Sequence, residues 1–207
     1  MSLDWTVVVP LKAAASGKSR LGASAELVRA IGLDTVAAAA AVARVVVVTA
    51  DPQTTADAAA IPGVTVVTEQ EPRGLNAAIA LGMPAVETPR AALLGDLPAL
   101  RPDDLHGTLD AAASVDRAVV ADAEGTGSTL VTARAGVAWE SAFGADSLAR
   151  HLALGCVRLH VPEHSSLRRD VDTMAQLAEA AALGLGPRSV RFSTGSALSQ
   201  GGPRREA

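Results

Sequence analysis

The sequence predicts an α/β fold around an open sheet that is parallel through at least its first strands. Its apolar segments are short continuous runs such as Thr6 to Val9 and Val45 to Thr49, the pattern of strands buried on both faces. These runs alternate with Ala- and Leu-rich helical stretches in the first half of the chain, which is the order of βαβ units. The stretch from Trp5 to Gly22 adds a third observation. There an apolar run empties into a loop of small residues holding Lys12, Gly17, Lys18, Ser19 and Arg20. Open α/β sheets bind ligands at the carboxyl ends of their strands. Lys12 and Lys18 are the only two lysines in the chain. Two ammonium groups, an arginine and the N–H groups freed by Gly17 suit a polyphosphate.

In chain order, Thr6 to Val9 is the first strand. Ser24 or Ala25 opens a helix through Leu27, Val28, Ile31 and Val36 toward Ala41. Val45 to Thr49 is the second strand, closed by Ala50-Asp51-Pro52. An Ala-rich helix follows and stops near Ile61-Pro62-Gly63, where Pro and Gly punctuate. Val64 to Thr68 is the third strand, and a short helix runs from Leu75 to Leu81. Ala91 to Leu94 is the fourth strand, with Gly95-Asp96 at its carboxyl end. Pro102 starts a helix through Leu105, Leu109 and Ala112. Ala118 to Ala121 and Thr129 to Ala133 are strands separated by a Gly-rich turn. After Phe143-Gly144 comes a helix through Leu152, then a seventh strand from Val157 to Val161 and a last helix ending at Leu183-Gly184. Residues 1–188 read as one domain. Residues 189–207 are polar, Gly/Ser-rich and non-periodic, and read as a disordered tail.

Composition excludes several classes. The chain has 207 residues, of which 49% are hydrophobic, with no Tyr and only Trp5, Trp139, Phe143 and Phe192 as aromatics. That is a poor set for stacking single-stranded nucleic acid, and a net charge of −4 removes the electrostatic footprint of a general DNA or RNA binder. No apolar run approaches the roughly 20 residues of a membrane span, and the N-terminal stretch has no signal-peptide pattern. Cys156 is the single cysteine, so no internal disulfide forms and a cytoplasmic location is expected. Nothing in the sequence sets an oligomeric state.

The opening loop admits two phosphate-binding readings. Lys12-Ala-Ala-Ala-Ser-Gly-Lys-Ser19 fits the P-loop pattern GxxxxGK[ST] except at its first position, where Lys12 replaces Gly. Leu93-Leu-Gly-Asp96 imitates the strand and Asp that hold Mg²⁺ in P-loop NTPases. Against this, the first Gly makes the tight turn out of the strand, and Gly22 interrupts the helix that should follow Ser19. The other reading is the loop of nucleotidyltransferases. The run from Pro10 through Lys12, Gly17, Lys18, Ser19 and Arg20 to Leu21 resembles the opening of the CofC/FbiD family, guanylyltransferases of coenzyme F420 biosynthesis. Further blocks resemble the same family in order: Arg73-Gly-Leu-Asn-Ala-Ala-Ile79, Leu94-Gly-Asp-Leu-Pro98, Asp122-Ala-Glu-Gly-Thr-Gly-Ser-Thr129, Phe143-Gly144 with Ser147, and Arg169-Asp-Val-Asp-Thr173.

That resemblance implies a three-layer nucleotidyltransferase (GT-A-like) α/β fold with a mostly parallel central sheet. It implies transfer of GMP from GTP to a small phospho-acid, phosphoenolpyruvate or 2-phospho-L-lactate, with hand-over to the next enzyme of the pathway. It assigns Lys12, Lys18 and Arg20 to catalysis, and Pro10, Leu11, Lys12, Lys18, Gly74 and Asn76 to the nucleotide. Thr129, Gly144 and Ser147 go to the acceptor, and Asp96 and Asp172 to Mg²⁺. An Ala/Arg-rich, Lys-poor composition matches a high-GC actinobacterial genome and favours phosphoenolpyruvate.

Each assignment has a plainer alternative. Asp96 can be a turn residue before Leu97-Pro98, Asp172 and Ser147 can be helix N-caps, and Asn76 can cap its short helix. Asp170 can pair with Arg168 or Arg169. The 122–129 segment can be only a hairpin turn. His106, His151, His160 and His164 lack metal-ligand spacing, and Cys156 reads as a small buried hydrophobe. Other functions left open are a molybdopterin guanylyltransferase, a P-loop NTPase and a non-catalytic GTP-binding module.

Overall fold

In a computed structural model the described residues are 5–12 and 24–193. They form a seven-stranded sheet in the order β3-β2-β1-β4-β6-β5-β7. The strands are β1 (Thr6–Pro10), β2 (Arg44–Thr49), β3 (Val64–Thr68), β4 (Arg90–Leu93), β5 (Arg117–Ala121), β6 (Ser128–Ala133) and β7 (Val157–Arg158). β1 pairs in parallel with both β2 and β4, and β2 with β3. Only β6 runs antiparallel to its neighbours, β4 and β5, while β7 is again parallel to β5. The mostly parallel sheet expected from the sequence is therefore present.

Helices cover both faces, which makes three layers. They are α1 (Ala25–Ala40), α2 (Pro52–Ala59), α3 (Leu75–Gly82), α4 (Pro102–Ala112), α5 (Ser147–Ala153), α6 (Met174–Leu183) and α7 (Val190–Ser193). Successive strand residues point to opposite faces, and β1 shows it. Val7 and Val9 pack with Leu33, Val36, Leu105 and Leu109 of α1 and α4, whereas Val8 packs with Ala78 of α3. The α5 side has its own cluster of Ile79, Ala92, Val119, Val131, Phe143 and Leu148. Each fully buried Val or Leu here contributes about 1.5–3 kcal/mol relative to exposure.

Local chemistry explains the helix starts. Ser24 caps α1 by accepting from the Leu27 N–H at 3.2 Å, and Asp51 caps α2 by accepting from Thr54 N at 2.9 Å. Proline at the first helical position opens α2 and α4, where its missing N–H costs nothing.

Two expectations need correction. β7 ends at Arg158 rather than Val161, because the edge pairing with β5 covers only Val157 and Arg158. Residues 189–193, read as the start of a disordered tail, are instead structured, with α7 at Val190–Ser193. The Asp34 carboxylate accepts from Arg188 N at 3.1 Å and Ser189 N at 2.7 Å, which anchors the entry to α7, and Ser189 is fully buried. Polar composition hid this, since the anchor is a partner 154 residues earlier. Among the described residues no helix is long and apolar enough to cross a membrane.

Candidate active site

The carboxyl ends of β1 and β4 lie side by side, since the two strands are parallel neighbours. Leu11 leaves β1 with its N–H donating to Val48 O at 2.8 Å. Its side chain lies over Gly32 and Gly95, where any Cβ would collide with it; glycine at 95 thus lets the β1 and β4 loops touch. Lys12 follows, exposed. Lys18 and Arg20, with Gly17 and Ser19, lie outside the described residues.

Asp96 sits one step beyond Gly95. Leu94 N donates to Thr129 O at 2.9 Å, and Leu97 N donates to Thr35 Oγ1 at 3.1 Å. Thr35, wholly buried on α1, donates its own hydrogen bond to Ile31 O at 3.0 Å. The Asp96 loop is held from both sides. Val171 N then donates to Asp96 O at 2.9 Å, bringing the 170–172 segment against it.

The carboxylates gathered there are unusual. Oδ1 of Asp96 and Oδ1 of Asp170 are both buried with no hydrogen-bond partner among the described residues. Burial, and then the charge of Asp172, push the Asp96 carboxyl up to about 6, with Lys12 opposing. Burial also raises Asp170 to about 7, reinforced by the charges of Asp96, Asp122 and Glu124. The expected pairing of Asp170 with an adjacent arginine does not form. Arg168 instead donates to the carbonyls of Asp122 (2.8 Å from Nη2) and Ala121, and Arg169 pairs with Glu179 at 3.3 Å. Asp172 is exposed, and it is not the cap of α6. Thr173 takes that role, accepting from Gln176 N at 3.2 Å, which leaves the Asp172 carboxylate free of it. Gln176 also accepts from Asp172 N at 2.9 Å and donates to Glu124 at 3.1 Å.

Orphaned carboxylate oxygens suit a hard dication. Among the described residues no group of three or more His, Cys, Asp or Glu side chains could by itself hold a metal. Mg²⁺ is commonly held by one or two carboxylates with substrate phosphates completing the shell. Asp96 and Asp172 fit that donor set.

Of the three acceptor candidates, Thr129 lies on β6 at the end of the 122–129 hairpin, Gly144 in the loop before α5 and Ser147 on α5. The 122–129 segment is a tight hairpin closed by its own aspartate, whose carboxylate accepts from Thr126 N at 3.0 Å and Gly127 N at 2.7 Å. Thr126 O in turn accepts from Leu148 N at 3.1 Å, tying the hairpin to α5. Thr129 is fully buried, and its hydroxyl donates to Leu167 O at 2.7 Å. Gly144 is exposed with φ at +130°, a conformation open to glycine and strained for other residues. Ser147 is buried and is the first residue of α5; the cap is Asp146, in the left-handed region at φ 52°. Ser147 is therefore not the N-cap that the sequence suggested. Gly74 precedes α3 at φ +99°, and Asn76 does not cap it. Its amide pairs instead with Phe143, Oδ1 accepting from Phe143 N at 3.0 Å and Nδ2 donating to Phe143 O at 3.0 Å.

Thr35, Arg168, Gln176 and His151 were not singled out by the sequence as parts of this site. Thr35 and Arg168 act through long-range bonds to backbone groups, for which residue spacing has no signature; Gln176 acts through Asp172 N and the Glu124 side chain, and His151 through Ala142 N.

Comparison with known proteins adds independent findings. The family model described as guanylyl transferase CofC like matches residues 5–193. A phosphoenolpyruvate guanylyltransferase of Streptomyces coelicolor is 47% identical over 202 residues, covering 90% of this chain and 94% of the relative. One from Thermomonospora curvata is 44% identical, covering 96% of each chain. Among solved structures, one titled as a nucleotide-diphospho-sugar transferase of Desulfovibrio desulfuricans superposes with a TM-score of 0.61 at 16% identity, covering 95% of this chain and 96% of the other. A CMP:2-keto-3-deoxy-manno-octonic acid synthetase complexed with CTP gives a TM-score of 0.50 at 18% identity, covering 86% and 97%. At such identities the structural likeness speaks for the nucleotidyltransferase fold alone.

Proposed function

Because the chain belongs to the guanylyl transferase CofC-like family, we propose that it transfers GMP from GTP to phosphoenolpyruvate. The products are enolpyruvyl-diphospho-guanosine and pyrophosphate, on the route to coenzyme F420. The observation that carries this reading is that relatives matching nine-tenths or more of the chain bear the name phosphoenolpyruvate guanylyltransferase. Those names favour phosphoenolpyruvate over 2-phospho-L-lactate.

The chemistry asks for positioning and charge stabilisation more than for proton transfer. A phosphate monoester has its second pKa near 6 and is about fully charged above neutrality, so its oxygen attacks the α-phosphorus without a general base. No histidine is required. Lys12, with Lys18 and Arg20 of the same loop, holds the β- and γ-phosphates and takes up charge on the departing pyrophosphate. Pro10, Leu11 and Gly74 supply backbone around the nucleotide. Thr129, Gly144 and Ser147 seat the acceptor, the Thr129 hydroxyl being held by Leu167 O. Asp96 and Asp172 would hold Mg²⁺, which when bound supplies positive charge between two anionic substrates. Thr35 and Gln176 keep those two carboxylates in place through the backbone of Leu97 and Asp172.

The test is pyrophosphate release from GTP and Mg²⁺ with phosphoenolpyruvate, 2-phospho-L-lactate, 3-phosphoglycerate or no acceptor. Release that depends on phosphoenolpyruvate is expected. Inorganic phosphate release without any acceptor would instead indicate a hydrolase and overturn the transferase reading.

A further inference from the structure

The three-residue segment Ser141-Ala142-Phe143 is held by two side chains, Asn76 and His151. Asn76, from α3, makes the reciprocal pair with Phe143 and also accepts from Ser141 Oγ at 3.1 Å. His151, from α5 and fully buried, accepts from Ala142 N through Nε2 at 2.9 Å. An N–H donor at Nε2 leaves the proton on Nδ1 in a neutral ring, and Nδ1 faces Ser128 Oγ at 3.1 Å. Phe143 stacks edge-on against the same imidazole, with ring centroids 4.8 Å apart. Gly144 follows directly, in a conformation few residues adopt.

We propose that Asn76 is a positioning residue for the acceptor subsite, fixing Gly144 and Ser147 through the backbone of Phe143 rather than contacting the guanine nucleotide. Both ends of its amide are engaged by Phe143, and Oδ1 is further shared with Ser141. An amide that presents both a donor and an acceptor to one residue's backbone imitates a strand partner. It sets the path of the chain immediately before the subsite, and His151 holds the intervening Ala142 through its N–H. α3 is thereby joined to a loop 67 residues later. This inference rests on the reading of Gly144 and Ser147 as the acceptor's seat.

The experiment is steady-state kinetics of the full chain with GTP and phosphoenolpyruvate varied separately, for Asn76→Ala, Asn76→Asp, Ser141→Ala and Gly144→Ala. Asn76→Ala is expected to raise KM for phosphoenolpyruvate about tenfold or more, the loss of two or three hydrogen bonds' worth of placement, with KM for GTP within about twofold. Asn76→Asp sets a carboxylate oxygen against Phe143 O in place of the donated bond, so it raises KM for phosphoenolpyruvate at least as far as Asn76→Ala. Ser141→Ala opens no comparable gap and shifts KM for phosphoenolpyruvate in the same direction, which covers the case of Asn76→Ala failing to fold. A rise confined to KM for GTP would overturn the proposal, as would unchanged constants in Asn76→Ala. If Gly144→Ala raises KM for phosphoenolpyruvate and the Asn76 variants do not, the positioning role alone fails. If Gly144→Ala leaves it unchanged, the acceptor seat itself is misplaced and the proposal falls with it.

Discussion

The backbone N–H of Val171 donates to the carbonyl of Asp96 at 2.9 Å, and this bond brings together the acidic residues of the site. It joins the loop after β4 to the segment before α6. Asp96, Asp170 and Asp172 are thereby forced to share a space that their charges resist sharing. Such a cluster is unfavourable unless a cation answers it.

The first consequence concerns Asp172. Its side chain is exposed, and the α6 cap belongs to Thr173, so Asp172→Asn removes a charge without removing a structural bond. Stability is expected to change by about 0.5 kcal/mol or less, as at most surface sites. Acceptor-dependent pyrophosphate release should fall by at least about two orders of magnitude, the scale of one lost transition-state charge contact. Full activity in this variant would remove Asp172 from the metal site.

Stability against pH tests the cluster directly. The Asp96 and Asp170 carboxyls titrate near 6 and near 7, above their ordinary 3.8. A carboxyl whose pKa is raised by folding favours the folded state below its unfolded pKa, and that contribution is lost as pH rises through the folded value. Without divalent cations these two groups therefore make the protein less stable at pH 8 than at pH 5. Mg²⁺ binding requires the Asp96 carboxyl to be ionised and so releases protons where it is not, and the rise in Tm on adding Mg²⁺ should be larger at pH 8 than at pH 5. Equal shifts at the two pH values would argue against Asp96 facing the metal.

Thr35 is the test of positioning from behind. In Thr35→Val the shape persists, but the buried N–H of Leu97 loses its acceptor, at a cost of about 1–3 kcal/mol. Thermal or denaturant unfolding measures that loss. Because Leu97 follows Asp96 directly, Mg²⁺ affinity, read by titration of the Tm, should weaken with it. A destabilised variant with unchanged Mg²⁺ affinity would confine Thr35 to a packing role.

Much of this was legible beforehand, and the reason differs by element. β1, β2 and β4 announce themselves because a strand buried on both faces must be continuously apolar, and Gly95-Asp96 stands out as the place where that run stops. The blocks around Asp96, Gly144 and Asp172 were recognisable as a set. What stayed hidden depends on partners far along the chain. Ser147 and Asp172 both looked like caps, yet Asp146 and Thr173 hold those positions. The choice between neighbours turns on backbone angles rather than residue type. Asp170 looked like an ion-pair member because arginines precede it, whereas Arg168 is drawn away by the carbonyls at the end of β5. Residues 188 and 189 are anchored by Asp34, and no local pattern reports such an anchor.

His151 supplies the last test, on the acid side. Burial holds its pKa down at about 4, against 6.5 for a free imidazole, and a hydrogen bond with the Ser147 backbone opposes this only in part. The ring must stay neutral for Nε2 to accept from Ala142 N. In the unfolded chain the ring takes a proton below about pH 6.5, while the folded chain refuses it until about pH 4. This group's contribution is therefore intact above the unfolded pKa and lost as pH falls, by roughly 3 kcal/mol in all across that window. Asp96 and Asp170 push the other way over part of the same range, so a wild-type profile alone mixes the two effects. The informative quantity is the stability difference between wild type and His151→Gln, measured by denaturant unfolding from pH 7.5 to pH 4.5. Gln keeps an acceptor for the Ala142 N–H and does not titrate. The difference should shift toward the variant as pH falls below 6.5. A difference that stays flat across the window would mean that the ring is charged or solvated in the folded protein, and the grip on the 141–143 segment would lose its second side chain.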